Sequence, residues 1–116
     1  MPYVHLITSA KLTEEKVAAV RRIVGETITL IPGKSFEVTT IHIDPEAIIS
    51  RGDPKDPCLF LEVRLFGPAP TGSKQAFARE ICAALEKELD IPQKFMSLNI
   101  IELDAWGGNG GFHTFR

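Results

Sequence analysis

A proline directly follows Met1, and Pro2 is the residue from which the most distinctive chemistry of this chain can be argued. Initiator methionine is usually removed when the next residue is small, and its removal would leave Pro2 with a free secondary amine. An unperturbed α-amino group titrates at about 7.7–8.0. Burial in an apolar pocket and a nearby cation each disfavour the charged form and push that value down. A neutral amine at pH 7 is a competent general base, able to move a proton next to a carbonyl. A proline at position 2 is also simply common, so alone it decides nothing.

The other chemically capable side chains are sparse. Cys58 and Cys82 can form neither a disulfide framework nor a four-ligand zinc site, and read most simply as buried, unreactive thiols. His5, His42 and His113 show no metal-ligand spacing and read as strand or tail residues. No metal or cofactor is expected. Arg64 shares a strand face with Phe66, which leaves two readings: an ion pair with Glu62 or an inter-subunit acid, or a second anion contact.

The elements that must position these residues follow from periodicity. Residues 2–8 form an apolar-rich segment of strand length. Thr13 followed by Glu14 and Glu15 predicts a helix start, and Val17, Val20, Val24 and Ile28 make one apolar stripe ending near Ile31. Pro32-Gly33 stops it. Phe36 to Ile43 reads as a second strand, residues 45–50 as a short helical turn, and residues 51–57 as a loop. Residues 58–66 form the strongest strand, with Leu59, Leu61, Val63 and Leu65 on one face and Cys58, Phe60, Glu62, Arg64 and Phe66 on the other. Thr71 or Ser73 is then expected to cap a helix bearing Phe77, Ile81, Leu85 and Leu89, before a fourth strand over about 97–103. The glycine-rich residues 106–112 suggest a turn or short hairpin.

Two halves result, about 2–44 and 58–103, with a tail over 104–116. Ile31-Pro32-Gly33-Lys34 and Ile91-Pro92-Gln93-Lys94 stand 60 positions apart in matching elements, which favours duplication. Each half would make a right-handed β-α-β crossover, giving an α/β (α+β) fold with a four-stranded sheet and both helices on one face. The second face, bearing Phe60 and Phe66, would stay open. Parallel strands are normally covered on both faces, so an oligomer with sites between subunits is expected.

Composition narrows the partners. The 116 residues suit one domain, and a formal net charge of −2 lacks the basic footprint that nucleic acid or an anionic membrane needs. The chain has neither an apolar run of spanning length nor a basic signal-peptide start, so a cytoplasmic protein is expected.

The whole chain resembles the tautomerase superfamily, in the branch of macrophage migration inhibitory factor and D-dopachrome tautomerase. The resemblance rests on Met-Pro at the start, Gly33-Lys34, Ile41-His42-Ile43-Asp44-Pro45, Asp56-Pro57-Cys58, Phe66-Gly67, Leu98-Asn99-Ile100 and Thr114-Phe115, in that order. It implies a duplicated β-α-β fold, a homotrimer with a site at each subunit interface, and cofactor-free tautomerisation of phenylpyruvate-like α-keto acids. Pro2 then looks like the base that shuttles the proton, and Lys34 like the cation that holds a substrate carboxylate, rather than a solvated loop lysine. Phe66 falls where the family binds substrate through a backbone N–H, its side chain being pocket wall or core. Asn99 matches an asparagine supplied by the neighbouring subunit, or else a strand asparagine bonding its surroundings.

Two departures stand out. Ser97 replaces an interface tyrosine of the mammalian proteins, which would widen the pocket unless Phe95 or Phe112 fills the gap. The Cys-x-x-Cys of the cytokine is absent, so no thiol–disulfide activity is expected. Arginines near the strand of Arg64 accompany extra acids or histidines in the superfamily's decarboxylase and dehalogenase branches, a set not placed here. The resemblance also leaves open a binding or signalling protein in which turnover is incidental.

Overall fold

The computed structural model describes residues 1–115. Strand β1 (Tyr3–Thr8) alternates half-buried and buried side chains, so Val4, Leu6 and Thr8 face the core while Tyr3, His5 and Ile7 face away. It is an inner strand, pairing in parallel with β2 (Thr40–Asp44) and antiparallel with β3 (Leu59–Phe66). Strand β4 (Met96–Leu103) lies parallel to β3, giving the order β2-β1-β3-β4. Each strand–helix–strand half is thus parallel, and the halves meet antiparallel at β1 and β3.

Helices α1 (Glu14–Thr27) and α2 (Thr71–Leu89) supply the other half of the core. Val20, Val24 and Ile28 of the first half, and Phe77, Ile81, Leu85 and Leu89 of the second, are buried against Val4, Leu6, Leu61, Val63 and Leu65. Val17, at the head of the α1 stripe, is only half-buried. Thr13 caps α1, its Oγ1 accepting the Lys16 N–H at 3.2 Å. Thr13→Ala should therefore cost about 1 kcal/mol, read as a lower urea midpoint with unchanged slope.

Four local expectations are corrected by the structure. Only Thr40–Asp44 of the segment from Phe36 to Ile43 is strand, because residues 36–38 wind into a 3₁₀ turn. The Phe36 ring lies so close to Gly25 of α1 that a β-carbon there would come within 2.6 Å of it, and Thr39 Oγ1 closes the turn on the Ser35 carbonyl at 2.6 Å. Residues 45–50 form no helix: the Glu46 and Ala47 N–H groups bond back to the Ala10 and Thr8 carbonyls at the end of β1. Neither Thr71 nor Ser73 caps α2; Pro70 occupies the cap position, and the Ser73 hydroxyl donates to its carbonyl at 2.7 Å. Cys58 is buried, but Cys82 is only partly so, with its thiol pKa raised by that burial.

The tail does form a hairpin, β5 (Ala105–Gly108) and β6 (Gly111–Thr114). Asn109 at φ 48° and Gly110 at φ 77° make the tight two-residue turn that such strands favour. Beyond it the Phe115 N–H bonds the Asp104 carbonyl at 2.7 Å, and its ring meets Phe66 edge-on with centroids 6.0 Å apart. Gly67 makes room for that ring: it sits at φ 83°, and a β-carbon there would lie 2.5 Å from Phe115. The sheet face opposite the helices carries Tyr3, His5, His42, Asp44, Phe60, Glu62, Arg64, Phe66, Ser97 and Asn99.

Candidate active site

The sequence-derived site residues lie at two ends of this open face. At the first end, Pro2 is buried and its carbonyl accepts the Thr40 N–H at 2.9 Å, which pins the start of the chain beside β2. Lys34 follows the turn at Gly33 (φ 78°), and its N–H bonds the Ile31 carbonyl at 3.2 Å. Burial, first, and the Lys34 charge, second, push the Met1 amino group below its ordinary pKa. The register that sets Tyr3 opposite Arg64 carries the chain start toward Phe66. Pro2, Lys34 and Phe66 therefore gather at one end of a single chain.

Ser97 and Asn99 belong to the other part of the sheet. Asn99 stands opposite Glu62, whereas Leu103 stands opposite Phe66. Four residues of strand separate those positions, about 13 Å at ~3.3 Å per residue. The single chain does not bring Asn99 or Ser97 to Pro2. Around Ser97 lies an open groove of about 400 Å³, lined by Ile7, Arg51, Cys58, Phe60 and Phe95 among others. Phe95 does stand beside Ser97 there, while Phe112 lies 72% exposed in the hairpin and does not line that groove. Arg51 Nη1 donates to Ser97 Oγ at 2.8 Å, a contact nothing in the sequence pattern announced.

Between the two ends the face is polar. Arg64 is engaged within its own chain: Nη2 and Nε lie 2.8 and 2.9 Å from Glu62 Oε1, and the guanidinium sits 5.0 Å from the centre of the Tyr3 ring. His5, His42 and Asp44 converge although they are scattered in sequence, because β1 and β2 pair in parallel with His5 opposite His42. Spacing along the chain could not reveal that trio; the strand register does. His113 is exposed in the hairpin.

Comparison with known proteins decides the kinship of this arrangement. The family model described as macrophage migration inhibitory factor (MIF) matches residues 1–113. The chain belongs to the macrophage migration inhibitory factor family. A relative named macrophage migration inhibitory factor, from Xenopus laevis, is 32% identical over 81 residues, 66% of this chain and 70% of that protein. Among solved structures, Leishmania major MIF2 superposes with a TM-score of 0.88 at 22% identity, covering 97% of both chains. A protein described as "F6 fused 4-OT wild type asymmetric trimer" has a TM-score of 0.79 at 18% identity and 94% coverage of both. Those likenesses place the two-helix, four-stranded mixed sheet in the tautomerase/MIF-like fold.

As a MIF family chain, this protein offers an amino terminus partly desolvated and under a lysine's charge and, apart from it, an apolar groove lined by Ser97 and Arg51 among others. The first can exchange protons with a bound carbon or oxygen acid. The second can enclose an apolar ring. Among the described residues, no helix is long and apolar enough to cross a membrane.

Proposed function

We propose that this chain is a cofactor-independent keto–enol tautomerase of phenylpyruvate-like α-keto acids, with the Pro2 amine as its general base and acid. The observation that carries the reading is the burial of Pro2 where the charge of Lys34 already depresses the chain's amino group. With Met1 removed, the same two influences act on the Pro2 nitrogen and favour its neutral form. The amine takes the proton from the enol hydroxyl and returns it to the neighbouring carbon, which becomes the methylene of the keto acid. Lys34 holds the substrate carboxylate, and the Phe66 backbone N–H steadies an oxygen.

We place the remaining contacts in a neighbouring subunit of a homotrimer. Asn99 lies too far along the sheet to serve Pro2 of its own chain, and the open face needs a cover. A neighbour's groove at Ser97 and Phe95, with Asn99 two residues further along the same face of β4, would receive the substrate's ring. The fused 4-OT trimer of this fold supports such an assembly. Arg64, held by Glu62, is a part of that face rather than a second clamp.

The test is ketonisation of phenylpyruvate enol by protein whose mass shows Met1 removed. Turnover is expected, and its absence in the processed protein would sink this reading. In Lys34→Ala, kcat/KM should fall about 10–100-fold through loss of a charged hydrogen bond, mostly as a higher KM. The acidic limb of its pH profile should also move to higher pH, because removing the cation raises the amine pKa. An unchanged limb would show that Lys34 does not face the amine. The name shared by the two frog relatives favours a second reading, a binding protein with incidental turnover. A biological phenotype that survives Pro2→Gly, after pocket chemistry is lost, would select it.

A further inference from the structure

The parallel pairing of β1 with β2 brings together three ligating groups that the proposed tautomerase chemistry does not use. His5 Nε2 lies 2.7 Å from Asp44 Oδ2, and His42 Nε2 lies 3.3 Å from the same oxygen. The two imidazoles stack in parallel with centroids 3.9 Å apart. One ligand atom from each residue can be chosen so that all three lie within 4.8 Å of one another. In a tetrahedral zinc site with bonds of about 2.0–2.1 Å, ligand atoms stand about 3.4 Å apart, so binding requires the two stacked rings to turn out of their parallel arrangement until both nitrogens face one ion.

The surroundings are also suited to a metal. Tyr3 Oη lies 2.7 Å from His42 Nδ1, the ring nitrogen that is not turned toward Asp44. With Nε2 given to a metal, Nδ1 carries the ring proton and donates it to the tyrosine oxygen, the kind of outer contact that fixes a ligand's orientation. In the single chain His5 is the least exposed of the three, at 19%, and the others are about half exposed; all three stand on the sheet face opposite the helices.

We propose that His5, His42 and Asp44 form a binding site for a divalent first-row transition ion, zinc above all, with a fourth position that this trio does not fill. Two imidazoles and one carboxylate select zinc, cobalt, nickel or copper over magnesium and calcium, which prefer all-oxygen sites. Binding replaces the His5–Asp44 hydrogen bond with bonds from both residues to the ion. The site is separate from Pro2 and stands whether or not the chain is a tautomerase.

The experiment is calorimetric titration of the chelator-treated full chain with zinc, alongside the visible d–d absorption of the cobalt form. Saturable zinc binding and a tetrahedral cobalt spectrum are expected, with no response to magnesium. Asp44→Asn and His42→Gln should each weaken binding at least tenfold, and Tyr3→Phe about 10-fold with the spectrum retained. His113→Ala should bind as the parent does. A thermal melt without metal checks that each variant is folded, and Asp44→Asn keeps the shape and a hydrogen-bonding oxygen. Absence of zinc binding in the parent, or binding untouched by both Asp44→Asn and His42→Gln in folded protein, would overturn the proposal.

Discussion

Protein that retains Met1 should turn over phenylpyruvate enol about 10²–10⁴-fold more slowly than the same protein with Met1 removed. In the retained form the Pro2 nitrogen is a tertiary amide with no basic lone pair, so the base is absent although every side chain of the site remains. The fold should be the same in both, because the bond that pins this segment runs from the Thr40 N–H to the Pro2 carbonyl and does not involve the nitrogen. Pro2→Gly is the complementary experiment. It keeps an amino group but loses the ring that fixes the nitrogen's direction, and its loss should approach 10²-fold by misplacement, on the order of what a poorly positioned base costs. Mass spectrometry fixes the state of the terminus, and initial rates give the ratio. The pH dependence has a definite sign: the neutral amine is the active base, so turnover climbs as pH rises through its pKa. Burial and Lys34 both lower an amine at this end of the chain, which moves that climb toward lower pH. Equal rates with and without Met1 would remove Pro2 from the mechanism.

How far the sequence discloses such a site depends on what kind of relation joins its residues. Leu59, Leu61, Val63 and Leu65 alternate so regularly that the face of β3 they occupy could be read directly, and with it the opposite placement of Phe60, Arg64 and Phe66. Phe77, Ile81, Leu85 and Leu89 likewise declare the buried side of α2. Periodicity reports burial, however, and not which turn chemistry wins locally. Phe36 looks like a strand residue by type, yet residues 36–38 wind into a turn that sets its half-exposed ring against Gly25. Relations between distant strands are hidden for a different reason. His5 and Asp44 are 39 residues apart, and only the parallel register of β1 and β2 makes them neighbours. The Arg51–Ser97 bond, 46 residues long in sequence, is hidden in the same way. Pro2, Lys34, Phe66 and Asn99 are proposed for the site through resemblance, because each sits at a fixed place in a familiar order of motifs. The separation of Asn99 from Pro2 along the sheet needed the register again.

Phe77→Ala should be the most damaging single substitution in the helical layer, at about 3–5 kcal/mol. Its side chain is fully buried in the second turn of α2, and truncation leaves a cavity against strand residues that cannot all move in to fill it. Against a typical total of about 5–15 kcal/mol, that loss is a large share of the fold's stability, and a urea melt will show it as a much lower midpoint. The consequence reaches the site because β3 has two faces. The buried face holds the strand in register through Leu61, Val63 and Leu65, while the same strand presents Phe60, Glu62, Arg64 and Phe66 on the open side. Phe60→Ala provides the contrast. Phe60 is 37% exposed in the single chain, so there its truncation should cost well under the Phe77 value, about 1 kcal/mol or less. In a trimer that buries this face, the melting temperature of the parent should already depend on protein concentration, and the same substitution should cost about as much as a core truncation. A small, concentration-independent loss for Phe60→Ala would leave the open face uncovered, and with it the contribution of a neighbour's Asn99 to the site at Pro2.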